Sequence, residues 1–308
     1  MDGGKMGRNW TVLLLPITRY ELPGWGWFIT RLAKSGYEYD HLWADMPTKV
    51  IRGKWHGYLM KLDMTNWSAR NTYFLGRYYE LHLQLLLDKL IQPGDRVVDI
   101  GANIGMITLH AAHLVGPGGQ IDSFEPNPVC QGQLREMLEM NGIGQVNLHP
   151  FGLSDAEAEL QLNQNHSHTG VGTFAEMDAD EVVTSTLAKV KRGDDVFAGD
   201  EQGVPRVIKI DIEGFELRAL QGMKQTLCKW KSMIIMEMNN SHFARAGIST
   251  REVGEFMVGM GYRAFDIRIK RKLLRYRLDL VPIEDISQLD ACRDVLWTAG
   301  QGHPLDRA

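Results

Sequence analysis

The chain has 308 residues, enough for one large domain or two small ones, and its 44% hydrophobic and 23% charged residues are ordinary for a globular protein with a sizeable core. A formal net charge of −4 gives no support for a nucleic-acid or membrane binder that works through excess basic charge, and it points to a small ligand. Cys130, Cys228 and Cys292 are odd in number, far apart and in no metal-ligand spacing, so they read as buried thiols of a chain in a reducing, cytoplasmic compartment.

In chain order, the first apolar run is "WTVLLLPI" at 10–17. Pro16 breaks it and no small-residue cleavage site follows, so it fails both as a signal peptide and as a membrane span. Six of the eight tryptophans (Trp10, Trp25, Trp27, Trp43, Trp55 and Trp67) fall before residue 70, in a stretch with no long periodic pattern. We expect residues 1–72 to form an N-terminal extension that serves substrate recognition or contact between copies in a homo-oligomer, and 73–308 to form the main domain. The tryptophans suit a small core or dimer contact as well as stacking on sugar rings.

From "YYELHLQLLLDKLIQPGD" onward the text becomes regular. Leu81, Leu85, Leu86, Leu87 and Leu90 recur at helical spacing, and "PGD" at 93–95 ends that helix. Short apolar runs then alternate with helical segments. "RVVDI", "QIDSFE", "QVNLHPF", "RVIKIDI" and "SMIIMEM" are the expected strands, with helices near 104–115, 128–141, 215–229 and 250–260. Such alternation predicts an α/β fold, a doubly wound and mostly parallel sheet covered by helices on both faces. Between Asp155 and Thr186 the pattern lapses, with "AELQLNQ" alternating like an edge strand and "NHSHTGVGTFAE" reading as loop. "YRAFDIRI" and "DVLWTA" supply final strands joined by a charged connection. The basic stretch "RIKRKLLRYR" at 268–277 reads as a strand edge with solvated charges.

Doubly wound sheets bind ligands outside the carboxyl ends of their strands, where the strand order reverses. This chain places acids there: Asp99 near the end of the first strand, then Glu125, Asp155, Asp211 and Glu237 after the second to fifth. Packing alone does not explain one acid per strand end, because burying a lone carboxylate is expensive. The first turn reads Asp99, Gly101, Asn103, Gly105, which departs from the G-x-G-x-x-G pattern that admits a pyrophosphate. A carboxylate ahead of the turn repels phosphate and suits positive charge. Glu125, 20 residues past Gly105, stands where an acid takes both hydroxyls of a ribose. A nucleoside with a cationic tail and no phosphate satisfies these constraints, and S-adenosylmethionine is such a molecule.

"VVDIGANIGMITLHAA", "SFEPNP", "GLSD" and "IKIDIEGFELRALQG" together resemble the FkbM family of S-adenosylmethionine-dependent methyltransferases, over residues 74–265. The resemblance implies a Rossmann-like class I methyltransferase fold with a seven-stranded sheet, and methyl transfer to a hydroxyl of a sugar or other small natural product. It implies that Asp99, Gly101, Asn103 and Gly105 form the turn beneath the methionine part, that Glu125 grips the ribose, and that Ser154 and Asp155 sit by the adenine. "FLGRYYE" is similar to the family's segment before the first strand, in which Glu80 meets the methionine ammonium.

An alcohol is a poor nucleophile, so a base must take its proton or a metal must lower its pKa. The candidates are Asp211 and Glu213 in "KIDIEG", Glu237 and Asn239 in "MEMNN", and His242. Lys209 and Asp211 share a strand face and are expected to pair. In one mechanism Asp211 or His242 is the base. In the other, Asp211, Glu237 and Asn239 hold Mg²⁺. We prefer the first and assign Asp211, Glu213 and His242 to catalysis. Asp211 has a second reading as a helix N-cap with Glu213 in the first turn. His166 and His168 read as polar loop residues, with no third ligand at usable spacing. Against a nucleic-acid acceptor stands "DIEG" in place of a Pro-Pro-aromatic cluster. A nicotinamide dehydrogenase lacks its glycine pattern here, and a scaffold with no activity is disfavoured by the intact acids.

Overall fold

The computed structural model describes residues 13, 15–165, 172–175, 182–272, 275–300 and 302–307. Trp10, Thr11, Val12 and Leu14 of "WTVLLLPI", His166, His168 and the leucines at the centre of "RIKRKLLRYR" lie outside the described residues.

Asn66 starts the helix Trp67–Leu75 by accepting a hydrogen bond from the Ser68 N–H, and Gly76, at φ +66°, ends it. Phe74 and Leu75 pack with Ile29, Ala33, Trp43 and Met64 in the core of the first of two compact units. This unit runs to Leu81 and also takes in Arg271–Arg277. Strands β1 (Lys49–Arg52) and β2 (Leu59–Leu62) form an antiparallel hairpin in it. Trp43 belongs to this core, whereas Trp27 is 57% exposed, so the tryptophans of the extension do not share one role. Two buried ionic nodes hold the unit. Arg70 is fully buried; it donates to the carbonyls of Ser35, Gly36, Met64 and Thr65, pairs with Asp40, and lies over the Trp43 ring. Glu21 accepts from Arg77, Lys54 and Tyr276. Burial pushes the Glu21 carboxyl up, but Arg77, Lys54 and Tyr276 together bring it down to about 2.

The expected strands form along the rest of the chain, with others between them. They are β3 (Arg96–Ile100), β4 (Gln120–Phe124) and β5 (Val146–His149), followed by β6 (Gly152–Ser154), β7 (Ala158–Asn165), β8 (Gly172–Thr173) and β9 (Val182–Arg192). Then come β10 (Val207–Ile210), β11 (Met233–Glu237), β12 (Arg263–Lys272), β13 (Arg275–Pro282) and β14 (Asp294–Thr298). Every residue of β3 and β10 is buried, Asp99 and Lys209 included, which is why neither strand shows the alternation of a half-exposed one. The main sheet has the order β13-β12-β14-β11-β10-β3-β4-β5. The pairs among β11, β10, β3, β4 and β5 are parallel, and β14 lies antiparallel to both β11 and β12. This is the doubly wound, mostly parallel, Rossmann-like sheet that the resemblance implies. It has eight strands rather than the seven expected, because the charged connection after β12 contains a strand of its own, β13. Strand order reverses at β3, which lies between β4 and β10, and the site is built around the ends of these strands.

The lapse after Asp155 conceals a second, four-stranded sheet of order β6-β9-β7-β8. "AELQLNQ" is therefore an interior strand, hydrogen-bonded to β9 on one side and β8 on the other, and not an edge. Asp155 follows β6 of this sheet; the third strand from β3 outward in the main sheet, β5, ends at His149 instead. Gly222 packs on β6 so closely that a Cβ there would lie 1.9 Å from the Ser154 carbonyl oxygen. The helix expected over 215–229 is two helices, Glu216–Gly222 and Lys224–Trp230, which meet at Met223. No helix among the described residues is long and apolar enough to cross a membrane.

Arg70→Ala leaves four backbone carbonyls and Asp40 without their guanidinium, so it is expected to destabilise the chain by about 3 kcal/mol or more. Arg70→Lys recovers only part of this, because an ammonium lacks the planar fork. Chemical unfolding of the two variants beside the unaltered chain measures the loss, and an unmoved midpoint for Arg70→Ala would refute the role of this node.

Candidate functional site at the carboxyl ends of the sheet

The turn after β3 has three residues at positive φ: Gly101 at +79°, Asn103 at +51° and Gly105 at +91°. Gly101 has a further reason to be glycine, since a Cβ on it would lie 1.9 Å from the Asp211 carbonyl oxygen, across the switch point. Gly101 thus serves the packing of one loop on another, and Gly105 leaves room for Leu134 of the helix Pro128–Met140. Asn103 N–H donates to Glu125 Oε2 at 2.7 Å, and Asn127 N–H donates to Glu125 Oε1 at 2.8 Å. Glu125 therefore staples the turn after β3 to the loop after β4. Each of its oxygens has one backbone donor and keeps a further lone pair, which is the capacity a ribose diol needs. Burial, outweighing the two backbone donors, pushes the Glu125 carboxyl up to about 7. The residues therefore fit a nucleoside bound through its ribose hydroxyls.

Asp99 lies deeper than expected, fully buried. Its Oδ2 accepts from Thr108 Oγ1 at 2.6 Å, and Lys209 Nζ is 3.5 Å from its Oδ1. Lys209 also donates to the Gly101 carbonyl at 2.8 Å and lies 3.3 Å from Asp211 Oδ2. The expected Lys209–Asp211 pair forms, and the same ammonium also serves Asp99. Ser154 is buried and donates to Asp155 Oδ1 at 3.0 Å, while Asp155 itself lies near the surface, 3.8 Å from Arg218. Glu80 is buried and belongs to the other compact unit.

The loop after β10 brings the remaining acids together. Glu213 takes φ +57°, a left-handed conformation that non-glycine residues seldom adopt and that recurs at functional sites. Gly214 follows at +104°, where a Cβ would meet the His242 carbonyl oxygen at 2.6 Å. The Glu213 carbonyl accepts from Thr173 Oγ1 of β8. His242 Nδ1 lies 2.6 Å from Glu213 Oε2 and 3.6 Å from Glu237 Oε2. The first approach is an ion pair that lies off the axis of the ring N–H, so it is not an aligned hydrogen bond. Burial pulls the imidazole down, but the two carboxylates raise it to about 10. Asn239 Nδ2, a donor 3.2 Å from Nε2, works against that second proton; two charges outweigh one neutral amide.

The helix after this loop starts at Glu216, with Phe215 at its N-cap position, so the alternative reading of Asp211 as a helix cap does not hold. Asn239 does cap a helix: its Oδ1 accepts from Ser241 N–H, Ser241 Oγ–H and His242 N–H, which commits it to structure. Glu216 escaped the sequence reading. It is 1% exposed; its Oε1 accepts from Ile212 N–H and its Oε2 has no hydrogen-bond partner. Burial, with the charges of Asp211 and Glu237, pushes it up to about 8. No spacing sets it apart in the sequence, since an acid opening a helix ahead of an apolar run has an ordinary role toward the helix dipole.

The Methyltransferase FkbM domain matches residues 99–264, more than half of the chain. The chain belongs to the FkbM methyltransferase family. Methyltransferase 1 of Beauveria bassiana is 28% identical, over 52% of this chain and 73% of its own length. The 31-O-demethyl-FK506 methyltransferase FkbM of Streptomyces tacrolimicus is 31% identical, over 44% of this chain and 61% of its own. The hexuronic acid methyltransferase AglP of Haloferax volcanii is 26% identical, over 57% and 66%. The chain thus spans less than two thirds of the length of the latter two.

A ribose whose hydroxyls donate to Glu125 favours the ionised carboxyl, so binding releases a proton wherever Glu125 is protonated beforehand. With the carboxyl at about 7, affinity for S-adenosylhomocysteine is expected to rise about fivefold to tenfold from pH 6 to pH 8. Calorimetry across that range measures this, and Glu125→Gln should bind weakly with a flat profile. A pH-independent affinity in the unaltered chain would remove the ribose assignment.

Proposed function

We propose that the chain transfers a methyl group from S-adenosylmethionine to a hydroxyl of a sugar or other small natural product. The observation that carries this reading is Glu125, a buried carboxyl that joins two switch-point loops and retains two acceptor positions, beside a second acidic group at the ends of β10 and β11. The printed names of two relatives, which act on a demethylated FK506 oxygen and on a hexuronic acid, support a hydroxylated small-molecule acceptor.

The bound cofactor supplies an electrophilic methyl on a positively charged sulfur. In this reading the turn 101–105 and Glu125 fix the nucleoside, and Ser154 and Asp155 belong to its adenine end. Asp211 keeps one carboxylate oxygen apart from its Lys209 pair and its side chain is 32% exposed, so it is the acid we assign to receive the acceptor's proton. Glu213 and His242 line the acceptor's side of the site beside it. A new oxygen–carbon bond forms as the carbon–sulfur bond breaks; its electron pair stays with the sulfur of S-adenosylhomocysteine and the proton passes to Asp211. Holding oxygen, methyl and sulfur in line can be worth about 7–11 kcal/mol, the largest share of the catalysis asked of this site.

Calorimetry with S-adenosylmethionine, S-adenosylhomocysteine and NAD tests the cofactor, and turnover with hydroxylated acceptors tests the reaction. Asp211→Asn is expected to lower kcat about 100-fold or more while S-adenosylhomocysteine affinity stays within about twofold. Binding of NAD in preference to the adenosyl ligands would overturn the reading.

A further inference from the structure

We propose that Glu213, Glu237 and His242 hold a divalent cation of the Mn²⁺ or Zn²⁺ type at the ends of β10 and β11. The site rests on the methyltransferase reading for its purpose but not for its existence. One carboxylate oxygen from each glutamate and Nδ1 of the histidine all lie within 4.8 Å of one another. An ion with bonds of about 2.0–2.2 Å sets its donor atoms about 3–4 Å apart, so the three side chains need to adjust by less than an ångström. Two carboxylates and one imidazole form a mixed oxygen and nitrogen set, which suits Mn²⁺ or Zn²⁺ better than the all-oxygen shell of Ca²⁺. All three residues are half-buried, so positions remain open for water or an acceptor oxygen.

A second observation comes from outside the triad. The Oε2 atom of Glu216 is buried with no hydrogen-bond partner, and its carboxyl feels the charges of Asp211 and Glu237. Asp211, Glu213, Glu216 and Glu237 therefore gather at one end of the sheet, where Lys209 is already shared between Asp211 and Asp99 and His242 is close to Glu213 and Glu237. A divalent ion offsets part of this excess of negative charge. It also gives the acceptor a reason to ionise, since a hydroxyl bound to such an ion loses its proton more readily, with Asp211 beside it to take the proton.

The ligand set differs from the one considered on sequence grounds. Asn239 is committed to capping, and Asp211 is paired with Lys209. Asn239 still bears on the ion. Its Nδ2, a donor, faces His242 Nε2 at 3.2 Å; with a cation at Nδ1 the ring keeps its one proton on Nε2, and the amide must turn away. Asn239→Asp keeps a good N-cap and offers Nε2–H an acceptor, the arrangement that strengthens metal-bound histidines.

Titration of the chelator-stripped full chain with Mn²⁺, with free ion followed by electron paramagnetic resonance, tests the proposal. One saturable site is expected. Glu237→Gln and His242→Ala should each weaken it tenfold or more, and Asn239→Asp should tighten it. Calorimetry with S-adenosylhomocysteine, expected within twofold of the unaltered chain in all three variants, shows that they are folded. Absent Mn²⁺ binding, or binding that all three variants leave unchanged, overturns the cation site while bound S-adenosylhomocysteine keeps the methyltransferase reading standing. Mn²⁺ held by a chain that takes no S-adenosylhomocysteine supports the cation site and overturns that reading instead.

Discussion

The Lys209 ammonium is the interaction on which the open rim of the sheet depends. Lys209 lies in register with Asp99 across the parallel pair β3 and β10 and is only 6% exposed. A buried cation is tolerable only with close anionic and carbonyl partners, and Asp99, Asp211 and the Gly101 carbonyl are such partners. In return it lets two carboxylates occupy adjacent strands and draws the turn after β3 against the loop after β10. The absence of a side chain at Gly101 completes the approach, since any Cβ would strike the Asp211 carbonyl oxygen. The two loops that flank the switch point therefore behave as one piece, and the rest of the site is attached to it.

From that piece the site extends in two directions with different electrostatics. Toward β4, a single carboxyl, Glu125, is satisfied by backbone N–H groups and is balanced between its charged and neutral forms near pH 7. A diol that donates two hydrogen bonds tips that balance toward the carboxylate. Toward β11, acids accumulate faster than bases. Glu213 in a left-handed conformation and Glu237 at the end of its strand meet at His242, and the deeply buried Glu216 feels the charge of Glu237. A neutral ribose suits the first end; a cation, or a group that gives up a proton, suits the second. The strain at Glu213 is kept by contacts from two elements, Thr173 of β8 and the His242 backbone against Gly214.

The site was unevenly legible. The acids at strand ends were visible because strands buried on both faces leave a charged residue conspicuous in an apolar run, and Asp99, Asp211 and Glu237 are of that kind. Glu125 was visible through its distance from the turn. Glu216 was not, because an acid at the start of a helical segment has an ordinary explanation. Asp155 looked like one more rim acid, yet it follows a strand of the second sheet. That sheet was missed because β7 and β9 pair across a long insertion, and only "AELQLNQ" carries the alternation of a strand.

Alternating apolar runs and helical periods, the displaced glycines and the ordered motifs determined by themselves the α/β class, the family and the identity of the turn, because each of these is a local property of consecutive residues. Only the tertiary structure decided which acids meet. The order in which strands lie side by side puts Lys209 against Asp99, and β11 beside β10 brings Glu237 and His242 to Glu213. Those neighbours are more than twenty residues apart in the chain, and their pairing is set by the burial of whole strands rather than by any spacing a reader of the sequence can see.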